Sequence, residues 1–391
     1  MHLDSLLVIM ACAVVAPLIA FRVRRWLMVP AVVLELLLGV LVGPDVLDWA
    51  RPTDAIGLLG DFGLALLMFM AGYEIDFARI RGRPVRAALL SWLVSFGLGL
   101  VLGLLLAWGR PGWIVIGMAL TTTALGTILP IVRDSGKLGT GFGTRVLAIG
   151  SVGEFGPIVA ITLILGSDEP LHKIALLLLF TLIAVGAAAL ASRPTPERVR
   201  RLLSATLGTS VQLAVRSSLL VIVAMLALAQ TLDLDVLLGA FTAGIVVRLA
   251  IRSISQTEIE IVESKMDAIA FGFLIPVYFV VSGMRFELVQ LVSDPLAMLA
   301  MLLYVPAFLL VRGLPVYLAT RRTMGGRESA ALGLMAATAL PLVVAITDTG
   351  VANGDIAPAS AASLVGAAMV SVLVFPMVAL RQLTVAQVRS G

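Results

Sequence analysis

Apolar residues fill this chain in blocks of about twenty, the number that spans a hydrocarbon layer as a helix, and short polar clusters separate the blocks. The blocks predict about thirteen transmembrane helices, near residues 3–21, 27–43, 55–73, 85–108, 112–132, 143–166, 170–191, 211–230, 235–251, 266–284, 295–319, 328–348 and 358–380. Within lipid every backbone polar group must be satisfied internally, which a helix does by itself. The expected class is therefore an all-α polytopic membrane protein. Composition agrees, with 60% hydrophobic and only 13% charged residues in 391, far more apolar than a soluble domain. Leu6 to Phe21 has no basic region before it and no cleavage site after it, so it reads as a retained helix.

Charge adds orientation. Counted from the N-terminus, the odd connections carry Arg22, Arg24 and Arg25; Arg79, Arg81, Arg83 and Arg86; Arg133, Lys137 and Arg145; Arg193, Arg198, Arg200 and Arg201; Arg248, Arg252 and Lys265; and Arg321, Arg322 and Arg327. The even ones hold little beyond Arg51, Arg110, Lys173 and Arg285, with acids such as Asp45, Asp48, Asp168, Asp233 and Asp294. Basic loops stay in the cytoplasm, so the N-terminus is expected outside and the C-terminus, with Arg381 and Arg389, inside, which requires an odd number of spans. The net charge of +4 belongs to these loops and predicts no nucleic-acid partner. Ser192 to Ser210, with Pro194 and Pro196, reads as a linker between halves. One cysteine, Cys12, excludes an internal disulfide, and two histidines, His2 and His172, leave no His/Cys metal cluster. Gly139 to Gly143 lacks the strand a dinucleotide loop requires, so no cofactor is expected.

Candidate chemistry lies where the spans depart from uniform apolarity. Glu154 is the one carboxylate between Val146 and Gly166. An ionised side chain at the bilayer centre costs about 2.5–3.5 kcal/mol even on lenient scales, so such groups face a protein or water-filled interior. Pro157 gives no N–H to the Gly153 carbonyl, and Ser151 shares the face of Glu154, so carboxylate, carbonyl and hydroxyl together suit a hard cation or a proton. A serine bonded back to its own helix is the commoner arrangement. Two spans look broken: the fifth at Thr121, Thr122, Thr123, Ala124, Leu125 and Gly126, where Pro130 frees the Gly126 carbonyl, and the twelfth at Thr338 to Pro341, where Pro341 frees the Ala337 carbonyl. Seven spans separate them, an odd offset, so their halves are inverted repeats, the pattern of secondary transporters. Arg312, beside Pro315, is a second deep charge that needs a carboxylate or several carbonyls. It is expected near the crossing of the broken helices, as a structural counter-charge or a transport residue. Glu35, Asp61, Glu74, Asp76 and Arg216 read as interfacial or packing charges, with Glu35 the one most worth testing.

Three stretches resemble signatures of the cation:proton antiporter-2 family: Val29 to Glu35 running on to Gly39 and Val42, Gly43, Pro44; Leu66 to Glu74; and Pro276 to Phe279 through Gly283 and Met284. The resemblance covers nearly the whole chain in order. It implies a core domain with two crossed broken helices that moves against a dimerisation domain by an elevator-like motion, usually in a homodimer. On this basis residues 1–83 and 211–294 are expected to form the dimerisation domain, 84–169 and 295–391 the core, and 170–210 the linker helix and cytoplasmic connection. It also implies exchange of a monovalent cation for protons at a carboxylate in the sixth helix, matched by Glu154, and a basic residue in the eleventh, matched by Arg312. The family's usual pair of polar residues ending in Asp is here Gly153 and Glu154, and a single carboxylate implies one cation for one proton. The chain ends soon after its last span, so no cytosolic nucleotide-binding domain is expected.

The predicted function is thus a secondary antiporter in a bacterial inner (plasma) membrane, not an enzyme, exchanging Na⁺ or K⁺ for protons at Glu154. Thr121 to Thr123 are expected either to complete the coordination or to pack helices. The rival readings are a symporter or uniporter of a small solute on the same scaffold and a non-transporting membrane sensor. Deep paired Asp, His ligands or a Ser/His pair, which an intramembrane enzyme would need, are not evident.

Overall fold

In the computed structural model the chain is described over residues 3–23, 29–75, 82–107, 112–164, 170–193, 201–202, 205–206, 209, 211–251 and 255–388. Arg24, Arg25, Asp76, Arg79, Arg81, Arg110, Asp168, Pro194, Pro196, Arg198, Arg200, Arg252 and Arg389 lie outside the described residues. Among those described, ten helices are long and apolar enough to cross a membrane, and three shorter apolar ones, Ala31–Val42, Trp113–Leu129 and Val236–Ala250, fill the remaining places in the predicted order.

The helical segments that make up and join these spans are, in chain order, α1 (Leu3–Val23), α2 (Ala31–Val42), α3 (Asp54–Tyr73), α4 (Arg83–Leu106), α5 (Trp113–Leu120), α6 (Leu125–Asp134), α7 (Gly141–Ile164), α8 (Pro170–Ala191), α9 (Leu213–Thr231), α10 (Val236–Ala250), α11 (Gln256–Ile269), α12 (Ile275–Met284), α13 (Leu288–Ser293), α14 (Pro295–Phe308), α15 (Leu314–Met324), α16 (Gly326–Ala336), α17 (Pro341–Ala352) and α18 (Pro358–Val388). The tenth span begins ten residues before its predicted start at 266. Ser255 accepts from the Glu258 N–H while the Glu258 carboxylate receives the Ser255 N–H, and this capping box starts α11 early.

Two spans contain π-helical turns, Ala270–Leu274 and Leu309–Gly313. Each ends two residues before a proline, Pro276 or Pro315, where the helix lacks an N–H and its hydrogen-bond ladder must re-register.

Contacts group the chain into two units, Met1–Gly57 with Asp76–Pro157 and Phe279–Gly391, and Leu58–Ile75 with Ile158–Tyr278. In the first, α2 meets α12 backbone to backbone. A Cβ on Gly39 would lie 2.9 Å from the Val280 carbonyl carbon and 3.0 Å from the Gly283 Cα. In the second, Gly72 and Gly244 allow the same approach between α3 and α10. Small residues at such contacts supply the van der Waals packing that holds helices together in lipid. The second unit also holds a half-buried cluster: Arg248 pairs with Glu263 and lies over the Tyr73 ring, whose hydroxyl donates to the same carboxylate.

Candidate functional site

Both predicted breaks are present, and both lie in the first unit. The fifth span stops helically at Leu120 and resumes at Leu125; the twelfth stops at Ala336 and resumes at Pro341. The breaks differ in cause from the proline arguments of the sequence. Pro130 falls inside α6, beyond the interruption, so the loss of a bond to the Gly126 carbonyl is not what opens the span. Pro341 stands in the first turn of α17, where its missing N–H has no intrahelical partner to lose, and α16 has already ended before Ala337. What holds the chain open is the capture of its polar groups by other elements.

The Thr123 N–H donates to the Gly153 carbonyl at 2.9 Å, and the Ala124 N–H donates to the Thr338 carbonyl at 2.7 Å. The Thr123 hydroxyl donates to the Ala336 carbonyl at 2.6 Å. The two interrupted stretches therefore bond each other directly, and α7 bonds the first. The Gly153 oxygen is the one that Pro157 deprives of its helical donor. The unwound backbone takes that place, so a residue that weakens one helix fastens another segment to it.

Arg312, fully buried in its π-helical turn, completes the arrangement. Its Nε donates to Thr123 Oγ1 at 2.8 Å and its Nη2 to the Ile149 carbonyl at 2.8 Å. Nη1 is buried with no hydrogen-bond partner among the described residues. The guanidinium lies where a side chain at position 153 would project. A Cβ there would collide with Arg312 Nη2 and Thr123 Oγ1 and stand 2.7 Å from Thr123 Cβ. Glycine at 153 thus makes room for the arginine.

Glu154 follows in mid-helix, 1% exposed. Thr121, Thr122, Thr123 and Thr338 are fully buried, and Ser151 is 6% exposed. Ser151 donates to the Leu147 carbonyl at 2.7 Å, Thr121 to Met118 at 2.8 Å, Thr122 to Ala119 at 2.8 Å and Thr338 to Leu334 at 3.1 Å. Each hydroxyl proton is thereby committed to a helix carbonyl, and the oxygen lone pairs remain as acceptors.

Sequence reasoning missed two contributors. The Trp92 ring covers Gly156, where a Cβ would lie 2.7 Å from Cζ2, two residues past Glu154. Ser371, on α18, bonds the backbone of the second break at Ala339. A lone serine in an apolar helix carries no sequence signal for such a partner, whereas the small side of α7 at Gly153 and Gly156 was a signal for close approach.

Comparison with known proteins bears on this geometry. The family described as "Sodium/hydrogen exchanger, transmembrane" matches residues 10–380. A Bacillus subtilis protein, YjbQ, is 25% identical over 367 residues, covering 88% of this chain and 57% of its own. The Na(+)/H(+)-K(+) antiporter GerN of Bacillus cereus is 28% identical over 267 residues, covering 66% and 65%. The chain thus spans 57% and 65% of the lengths of these two relatives. The solved structure of the sodium proton antiporter MjNhaP1 from Methanocaldococcus jannaschii matches with a TM-score of 0.68 at 16% identity, over 96% of this chain and 97% of that one, and shares its fold.

Proposed function

This chain belongs to the sodium/hydrogen exchanger transmembrane family, and on that premise we propose that it exchanges Na⁺ or K⁺ for protons across the membrane, with Glu154 as the site both passengers share. The observation that carries the proposal is the burial of this single acid in α7, the helix whose Gly153 carbonyl, one residue earlier, fastens the first unwound stretch.

Competition is the coupling. A carboxylate buried at this depth must be neutralised, and either a proton or a cation does so, but not both at once. The lone pairs of Thr121, Thr122 and Ser151 and the unwound backbone supply oxygen ligands when the passenger is a cation. Arg312, tied to Thr123 and Ile149, adds a fixed positive charge that opposes binding of a second cation. One acid gives one cation for one proton, an exchange that moves no net charge.

In this reading residues 84–169 and 295–391 carry the site through the membrane against 1–83 and 211–294, with 170–210 as the connection, in a homodimer in a bacterial inner membrane. The names of GerN and MjNhaP1 support the cation and proton as passengers for those proteins.

The test is purified protein in proteoliposomes with an internal pH dye, titrated separately with Na⁺ and K⁺ and with a clamped membrane potential. Cation-dependent pH change, insensitive to the potential, is expected from the wild type, and its loss is expected in Glu154→Gln. Retained exchange in that variant removes Glu154 from the mechanism. A wild type that moves no ions without an added solute favours a symporter or a sensor.

A further inference from the structure

The second break contains one amide whose partner comes neither from the two half-helices nor from the first break. The Ala339 N–H donates to Ser371 Oγ at 3.1 Å, and the same oxygen lies 3.1 Å from the Ala339 carbonyl oxygen and 2.7 Å from that of Ala368. Ser371 is fully buried on α18, and Ala339 is fully buried as well. Water is therefore no substitute, and a buried N–H left without an acceptor costs a large fraction of what such a segment has to spare.

A hydroxyl has one proton to give and two lone pairs to receive. One lone pair takes the Ala339 N–H in either arrangement. The proton has two acceptors within reach: the Ala368 carbonyl, one turn back on its own helix, and the Ala339 carbonyl across the contact. When it goes to Ala368 the Ala339 oxygen is open; when it goes to Ala339 that oxygen is capped. Ala339 is the residue after Thr338, whose carbonyl receives the Ala124 N–H, and three after Ala336, whose carbonyl receives the Thr123 hydroxyl. The clamp thus acts one peptide away from the bonds that join the two breaks.

We propose that Ser371 is a positioning residue for ion exchange, holding Ala339 so that the crossing stays closed and, by turning its proton, opening or capping the Ala339 carbonyl as a ligand for the cation. The role in exchange rests on the antiport reading above; the role in holding Ala339 does not.

The experiment uses Ser371→Ala, Ser371→Cys and Ser371→Thr in the full chain. Deuterium uptake is followed for a peptide containing residues 337–341, and exchange kinetics are measured with Na⁺ and K⁺ in proteoliposomes. Losing one buried hydrogen bond is expected to raise the apparent KM for the cation about five- to tenfold in Ser371→Ala while kcat stays within about twofold. Deuterium uptake at 337–341 rises in step. Ser371→Thr, which keeps the hydroxyl, stays close to wild type, and Ser371→Cys, a weaker acceptor of similar size, falls between. Unchanged protection in Ser371→Ala overturns the clamp, and faster uptake with an unchanged KM overturns the role in exchange. If Ser371→Ala does not fold, equal losses in the Cys and Thr variants overturn the proposal in the same way. Should the wild type move no ions, the antiport reading fails with it, and the deuterium result still decides whether Ser371 holds Ala339.

Discussion

Glycine at 153 and arginine at 312 occupy one space. A methyl group at 153 would have to displace a buried guanidinium or the threonine that anchors it, and overpacking of this kind costs about 1–3 kcal/mol. Gly153→Ala is therefore expected to lower the melting temperature and suppress exchange. Gly97, in α4, has open space around the same added carbon. Gly97→Ala should hold or raise stability by up to about 1 kcal/mol, because alanine loses less freedom on entering a helix. Thermal melts of the two variants side by side distinguish crowding at 153 from a general effect of removing glycine. At the surface, between α2 and α3, Arg51 donates Nε and Nη2 to Asp48 at 2.6 Å each. These hydrogen bonds, with the nearby positive charge, hold the Asp48 carboxyl below the usual carboxylate range. A depressed carboxylate stabilises the fold above its unfolded value, and the contribution is lost as pH falls through the folded one. The small difference in melting temperature between wild type and Arg51→Ala should accordingly be constant from neutral pH down to about 5 and vanish under more acidic conditions, below the unfolded Asp value of about 3.9.

At the scale of elements, helices in this protein are joined through backbone as much as through side chains. Pro157 interrupts the ladder of α7 and thereby offers the Gly153 carbonyl to Thr123, and the π turn before Pro315 carries Arg312. The α2–α12 contact is the plainest case. Gly39→Ala pushes a carbon into the Val280 peptide, so the helices must separate, with a loss of about 1–3 kcal/mol seen as a lower melting temperature. Glycine on α8 gives the contrast, since Gly186 has nothing within reach of an added Cβ and Gly186→Ala, like Gly97→Ala, should hold or raise the melting temperature. How much of this was legible depended on the signal. Breaks, depth of charge and the prolines were written locally, in residue types that disfavour an uninterrupted apolar helix. The partners were not, because Gly153 and Thr123, or Ser371 and Ala339, are distant in sequence and meet only through packing.

Across the whole molecule, the distribution of arginine and lysine predicts an orientation that labelling tests. With Cys12→Ser as background, a cysteine at Val46, exposed after α2, should react with an impermeant maleimide added to intact cells, and one at Ser255, exposed before α11, should react only after the membrane is opened. The reverse pattern would turn the topology over. The sequence by itself determined the class, the order of spans, the two interrupted helices and the deep acid at 154, because lipid imposes length, apolarity and a penalty on charge residue by residue along the chain. Only the tertiary structure decided why the interruptions stay open, which atoms Arg312 holds, why position 153 has no side chain and that a serine in the middle of α18 grips the second break. Those are pairings of buried donors with buried acceptors, and a linear sequence records the groups without recording which of them will be brought within 3 Å of each other.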